Sequence, residues 1–345
     1  MKEIALMLDM GRKHYSKKWI LQLVDYMNEL GMNTLQLHFS ENEGFRIESD
    51  LYPEIVSSEY HRKVDIQQII SYANDHGIQI IPDFDTPGHL KQVLQFYPEF
   101  QLEVVDKKTG KSGKDSRSLD ISKPEARAFI KRIYKEYAEL FAGSEYFHIG
   151  ADEFIIFDDV QNYPELVAYG KAHYGEEATG IETYVEYTNE IIDYVIQLGF
   201  TPRIWNDGFY RINQDSLVKL DTRAEVTYWT KWHQNMAEVS TFIEKGHQLI
   251  NFNDNYFYYV LGENASYLYP TARKIDDEWR VNMFSSHQMV TAEQMDTVIG
   301  TSFAIWCDIP HAQTEDEVFT GIKEPLRAMV NRINEYKNKG AEIYE

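Results

Sequence analysis

Short runs of mostly apolar residues recur along the chain, each closing on polar or aromatic side chains. They are IALMLDM (4–10), TLQLHFS (34–40), IQIIPDFD (78–85), YFHIGADE (146–153), PRIWNDG (202–208), EVTYWT (225–230), QLINFND (248–254) and TSFAIWCD (301–308). Several are nearly continuous in apolar residues, the pattern of parallel strands buried on both faces. Between them the period becomes helical. Ser16 is placed to cap KKWILQLVDYMNELG, which stops at Gly31. VDIQQIISYANDHG repeats the design and stops at Gly77, and Ser122 and Glu125 have capping-box spacing ahead of ARAFIKRIYKEYAELFAG. A long helix is predicted over 181–198 before Gly199, and a last one near 317–337.

Eight strand–helix alternations predict an α/β protein, a single (β/α)8 TIM barrel forming one catalytic domain over 1–345. The alternation is weakest over 209–224 and 255–300, which read as loops. A doubly wound open sheet would want a glycine-rich phosphate loop after the first strand, and LDMGRKHYS has a single glycine.

In such barrels the chemistry sits where the strands end. Those ends collect Asp9 and Arg12; His38 and Glu41; Asp83, Asp85 and His89; Asp152 and Glu153; Trp205, Asn206 and Asp207; Trp229; Asn253, Asp254 and Tyr256; Trp306 and Asp308. Four of the six tryptophans belong to this set once Trp232 is counted. Indole faces stack on the C–H face of a pyranose, and carboxylates fork onto its hydroxyl pairs, so the set suits a sugar. A metal-dependent hydrolase would want paired histidines on an early strand. Here His38, His89 and His148 are scattered, and His148 reads as a hydrogen-bonded core residue. No metal and no cofactor is expected.

The net charge of −21 argues against nucleic acid, tolerates neutral ligands and favours cationic ones. Cys307 is the only cysteine, so no intrachain disulfide forms, and no Gly-x-Ser-x-Gly elbow offers a covalent nucleophile. The N-terminal residues lack a signal-peptide pattern, and no apolar run is long enough for a bilayer. The expected location is therefore the cytoplasm, or the cell exterior if this is a trimmed chain.

That leaves carboxylates. Breaking a glycosidic bond needs an acid for the leaving oxygen and support for an oxocarbenium-like centre. Asp152 and Glu153 are adjacent, so they share a site only where the strand ends and the backbone turns. An ionised Asp beside a Glu raises the Glu pKa, which makes Glu153 the acid and Asp152 its anionic partner. A conventional nucleophile could come from Asp207, Asp254 or Asp308. Spacing alone does not choose.

HIGADE resembles the His-x-Gly-x-Asp-Glu signature of family 20 glycoside hydrolases, the β-N-acetylhexosaminidases. LDMGRKHYS, LQLHFSENEGFRIES, IIPDFDTPGH, RIWNDG, VTYWT, NFNDNYFY and AIWCD resemble further blocks of that family, in order, over nearly the whole chain. The resemblance implies retaining, exo-acting, substrate-assisted hydrolysis of terminal β-linked N-acetylglucosamine, in which the 2-acetamido oxygen attacks C1 to give an oxazolinium ion. It implies Glu153 as acid and later base, Asp152 on the acetamido N–H and Tyr256 on the acetamido oxygen. Trp205, Trp229 and Trp306 would wall the sugar pocket, Arg12 and Asp308 would hold its hydroxyls, and His89 would bond near the acid. Glu41 stands where the family usually has Asp, and Asp308 where Glu is usual. The expected substrate is linear β-1,6-linked N-acetylglucosamine polymer, with short glycan or chitin ends second. Partial deacetylation makes that polymer cationic, which suits an acidic protein. The rivals are a two-carboxylate glycosidase acting on sugars without an acetamido group and a non-catalytic carbohydrate-binding barrel.

Overall fold

The computed structural model describes residues 2–339. Eight parallel strands follow one another around a closed barrel. They are β1 (Glu3–Asp9), β2 (Thr34–His38), β3 (Gln79–Thr86), β4 (Tyr146–Gly150), β5 (Thr201–Trp205), β6 (Glu225–Tyr228), β7 (Leu249–Asn251) and β8 (Val298–Trp306). Closure is the pairing of β1 with β8, from Glu3↔Gly300 to Leu8↔Ile305.

Strand alternation sorts the side chains. Ile4, Leu6 and Leu8 of β1 join the large core under the helices, while Met7 faces inward with Trp205, Ile250 and Ala304. Much of the interior is polar, and its groups pair with one another. His38 Nδ1 lies 2.9 Å from Asp83 Oδ2, and Gln36 Nε2 donates to the same oxygen at 2.7 Å. His148 Nε2 is 2.8 Å from Thr227 Oγ1, as a core histidine should be. Toward the other end of the strands, Arg203 grips Glu3 in a fork at 2.9 and 2.7 Å and Glu225 at 2.8 Å.

The principal helices are α1 (Lys17–Leu30), α2 (Lys63–Asp75), α3 (Pro124–Leu140), α4 (Ile181–Gln197), α5 (Val239–Glu244), α6 (Ala272–Glu278) and α7 (Glu315–Lys339). The caps of α1 are those its sequence indicates: Ser16 Oγ accepts from the Trp19 N–H at 3.3 Å, and Gly31 closes the helix at φ 74°. Ser16 Oγ also donates to Glu315 at 2.8 Å, joining α1 to α7. Ser16→Ala should cost about 1 kcal/mol of unfolding free energy, read from urea or guanidinium midpoints.

One expectation changes. The capping box at Ser122 does not form, because α3 starts at Pro124, and the Ser122 hydroxyl donates to Asp120 at 2.6 Å. Proline supplies the helical φ and has no N–H to cap. Between β5 and β6 the chain has no helix: residues 206–224 run as turns and bends, in line with the loop reading of 209–224. No described helix is long and apolar enough to cross a membrane.

Candidate active site

β4 delivers the two adjacent carboxylates. The strand ends at Gly150, and Gly150, Ala151 and Glu153 all take positive φ, at 75°, 75° and 43°. This left-handed run breaks the alternation of a strand, so Asp152 and Glu153 reach one cavity. Glycine is required at 150, because a Cβ there would sit 1.7 Å from Asp85 Oδ1. The strained turn is held by its neighbours. The Ala151 N–H donates to Thr86 O at 2.9 Å, the Tyr184 hydroxyl donates to Ala151 O, and the Glu153 N–H donates to Asp207 Oδ2 at 3.0 Å.

The cavity at this end of the barrel has a volume of about 420 Å³. Arg12, His89, Asp152, Glu153, Trp205, Trp229, Trp306 and Asp308 line it, together with Glu41, Trp232, Tyr258, Val260, Ala265 and Tyr267. The first eight are residues the sequence assigns to one site, and Glu41 and Trp232 are also among its strand-end residues.

Tyr256 is the correction. It lies in the helical turn Asp254–Phe257 after β7, which carries it away from the cavity. Its hydroxyl donates to Glu278 at 3.4 Å, and its ring stands edge-on to His287 at 6.3 Å. The chain then forms a short strand, Tyr258–Val260, on the upper part of β8, with Tyr258 opposite Ala304. That pairing puts Tyr258 in the wall, parallel to Trp229 within 2° at 5.8 Å. Tyr267 adds a second ring, 5.6 Å from Tyr258, and its hydroxyl donates to Asp254 at 2.9 Å. NDNYFYYV offers four aromatic residues, and nothing in their spacing says which one turns inward.

Charge on the opposite wall is tightly organised. Arg12 bridges Asp9 at 2.9 Å, Glu41 at 2.7 Å and Glu43 at 3.4 Å, and its guanidinium lies 5.5 Å from the Trp306 ring. Asp9 also accepts from the Cys307 N–H at 3.0 Å, so the ends of β1 and β8 are stitched by one carboxylate. Glu41, 1% exposed, lies 2.6 Å from His89 Nδ1, and His89 Nε2 reaches Asp152 at 3.5 Å and Glu153 at 3.6 Å. The His89 imidazole thus lies between Glu41 and the Asp152–Glu153 pair.

Burial works against the His89 charge, but Glu41 and then Asp152 outweigh it and raise its pKa to about 10. Burial likewise opposes the Glu41 charge, and His89 and Arg12 pull its pKa down regardless. Glu153 goes the other way, raised by desolvation and by the Asp152 charge against the pull of His89. Asp85, fully buried beside Asp152, is raised by burial and then by that same charge. Asp207 is pushed to about 7 by burial and Asp152. Glu41 is thus held ionised, and Glu153 and Asp85 keep protons to higher pH.

Asp85, His89 and Asp152 approach within 4.8 Å of one another, close enough to share an ion. A metal takes a neutral imidazole, and His89 is held protonated between carboxylates, so the three suit proton holding better than metal binding. Of the possible nucleophiles, Asp207 spends both oxygens on the Glu153 N–H and, at 3.1 Å, the Trp229 indole N–H. Asp254 accepts from Thr230, Tyr267 and Ser285. Neither lines the cavity, while Asp308 does, with Asn264 donating to it at 3.0 Å.

The sequence matches the model of Glycosyl hydrolase family 20, catalytic domain, over residues 5–321. The chain belongs to this family. A lacto-N-biosidase of Bifidobacterium bifidum is 30% identical over 314 residues, which are 90% of this chain and 26% of that protein. Beta-hexosaminidase subunit A1 of Dictyostelium discoideum is 29% identical over 224 residues, 63% of this chain and 41% of its own. The chain thus spans between a quarter and a half of these curated relatives. Among solved folds, a catalytic module of the pneumococcal exo-β-D-N-acetylglucosaminidase superposes with a TM-score of 0.76 at 21% identity, covering 96% of this chain and 84% of that one. Dispersin B superposes with a TM-score of 0.74 at 21% identity, covering 96% and 99%. As a family 20 chain it is a glycoside hydrolase, and its closed barrel is the fold of these neighbours.

Proposed function

We propose that the chain is a retaining exo-β-N-acetylglucosaminidase that uses the substrate's own acetamido group. The supporting observation is the pairing of Asp152 and Glu153 in one cavity while Asp207 and Asp254 are bonded away from it. The terminal sugar sits among Trp205, Trp229 and Trp306, with Arg12 and Asp308 on its hydroxyls. Its acetamido oxygen donates an electron pair to C1 as the glycosidic bond breaks, and the leaving oxygen takes the Glu153 proton. Asp152 accepts the acetamido N–H and balances the positive charge of the oxazolinium ring. Tyr258, in place of Tyr256, supplies the hydroxyl for the acetamido oxygen, because the Tyr267 hydroxyl already donates to Asp254. Water then opens the ring with Glu153 as base, and two inversions give retention. Intramolecular attack can be worth roughly 7–11 kcal/mol when well oriented.

The proposed natural substrate is β-1,6-linked N-acetylglucosamine polymer, supported by the acidity of the protein and by the likeness to dispersin B. A second reading, lacto-N-bioside ends, is favoured by the 30% identity with the lacto-N-biosidase over 90% of this chain. Product analysis on β-1,6 and β-1,4 N-acetylglucosamine oligomers and on lacto-N-bioside ends separates these. Release of N-acetylglucosamine supports the first, and release of a disaccharide the second. Equal rates on nitrophenyl N-acetylglucosaminide and nitrophenyl glucoside would overturn both.

Asp207→Asn tests the support under the acid. An amide presents N–H where one of two N–H donors needs an acceptor, so either Glu153 or Trp229 loses its tether. The expected fall in kcat/KM is about tenfold, the size of one such hydrogen bond.

A further inference from the structure

Four tryptophans line the cavity, and Trp232 differs from the others. Trp205 and Trp229 are buried wall, whereas Trp232 is 65% exposed on the loop after β6. An indole left mostly in water adds little to folding. Yet this loop is firmly held. Asn235 donates to Asp158 at 2.9 Å, and His233 Nδ1 lies 3.5 Å from the same carboxylate. Arg211 and Asn213, from the stretch after β5, reach it at 3.0 and 2.9 Å. Asp158 itself follows Glu153 on the loop after β4. One carboxylate thereby pins three rim loops, and those of them after β4 and β6 carry the acid and the exposed indole.

We propose that Trp232 is the platform for the first sugar of the leaving group. The inference rests on the function proposed above. With the terminal sugar enclosed by the inner tryptophans, Arg12 and Asp308, the aglycone must leave through the mouth past Glu153. That side chain is itself 51% exposed, on the open side of the site. An indole there, edge-on to His233 at 5.6 Å on this pinned loop, offers a face to the C–H side of a pyranose, worth a few-fold in affinity. The preferred substrate is therefore one whose leaving group is another pyranose, not a small alcohol.

The test compares wild type, Trp232→Ala and Trp232→Phe on N-acetylglucosaminyl-β-1,6-N-acetylglucosamine and on N-acetylglucosaminyl fluoride, whose leaving group is a single atom. In Trp232→Ala the ratio of kcat/KM on the disaccharide to that on the fluoride should fall roughly 3- to 10-fold, mainly through KM, and Trp232→Phe should restore most of it. An unchanged ratio overturns the platform, whether both rates fall together or neither moves. If wild type cleaves neither compound, the function fails, and calorimetry decides the platform. Tighter binding of the disaccharide than of N-acetylglucosamine, lost in Trp232→Ala, supports it, and equal binding in both proteins overturns it.

Discussion

Glu153→Gln is expected to lower turnover of N-acetylglucosaminide oligomers by about 10²–10⁴-fold, the usual contribution of a positioned acid. The substitution keeps size and polarity and removes only the transferable proton. The loss should shrink when the leaving group is activated, as nitrophenolate is, because such a group departs with little protonation. The pH profile gives an independent signature. Desolvation and the Asp152 charge raise the pKa of Glu153, so the acid form persists to higher pH than an ordinary glutamic acid allows. Wild-type kcat/KM should fall as pH rises through that value, and the variant should lose this limb. Equal losses on activated and unactivated substrates would remove Glu153 from the acid role.

Asp152→Asn should cost about 10²–10³-fold, the scale found when a group facing developing charge is neutralised. The loss belongs in kcat, because in the proposed mechanism the oxazolinium charge appears only as the ring closes. A second effect follows from the carboxylate cluster. Asp152 is among the charges that hold Glu153, Asp85 and Asp207 above their ordinary pKa values. Without it Glu153 becomes a stronger acid, so the basic limb of kcat/KM should move to lower pH. A limb that stays in place would mean that the two carboxylates are electrically independent.

Much of this site was legible because barrel chemistry has a fixed address. Continuous apolar runs marked the strands, their polar ends marked the rim, and Ser16 and Gly31 marked a helix by cap chemistry alone. The reading failed where tertiary pairing decided the matter. Tyr256 and Tyr258 are two residues apart, and only the pairing of Tyr258 with Ala304 of the neighbouring β8 selects the inward one. Asp207 looked like a nucleophile because sequence shows a carboxylate but not the two N–H groups that occupy it. Glu41 departs from the usual Asp by one methylene, and only coordinates show that length bringing it to 2.6 Å from His89. Trp232 was visible at a strand end, while its exposure depends on three loops meeting at Asp158.

The stitch between β1 and β8 has a consequence for biosynthesis. Asp9 and Arg12 are made nearly three hundred residues before Cys307 and Asp308, yet they meet in the same few ångströms. A chain growing on the ribosome can stack its early strands into an open sheet, but both free edges wait for the last strand to emerge. The Arg12–Asp308 end of the pocket therefore comes into being at the final closing event. A nascent polypeptide stalled before residue 298 would carry Asp152 and Glu153 and still lack Trp306 and Asp308 from the wall of their cavity.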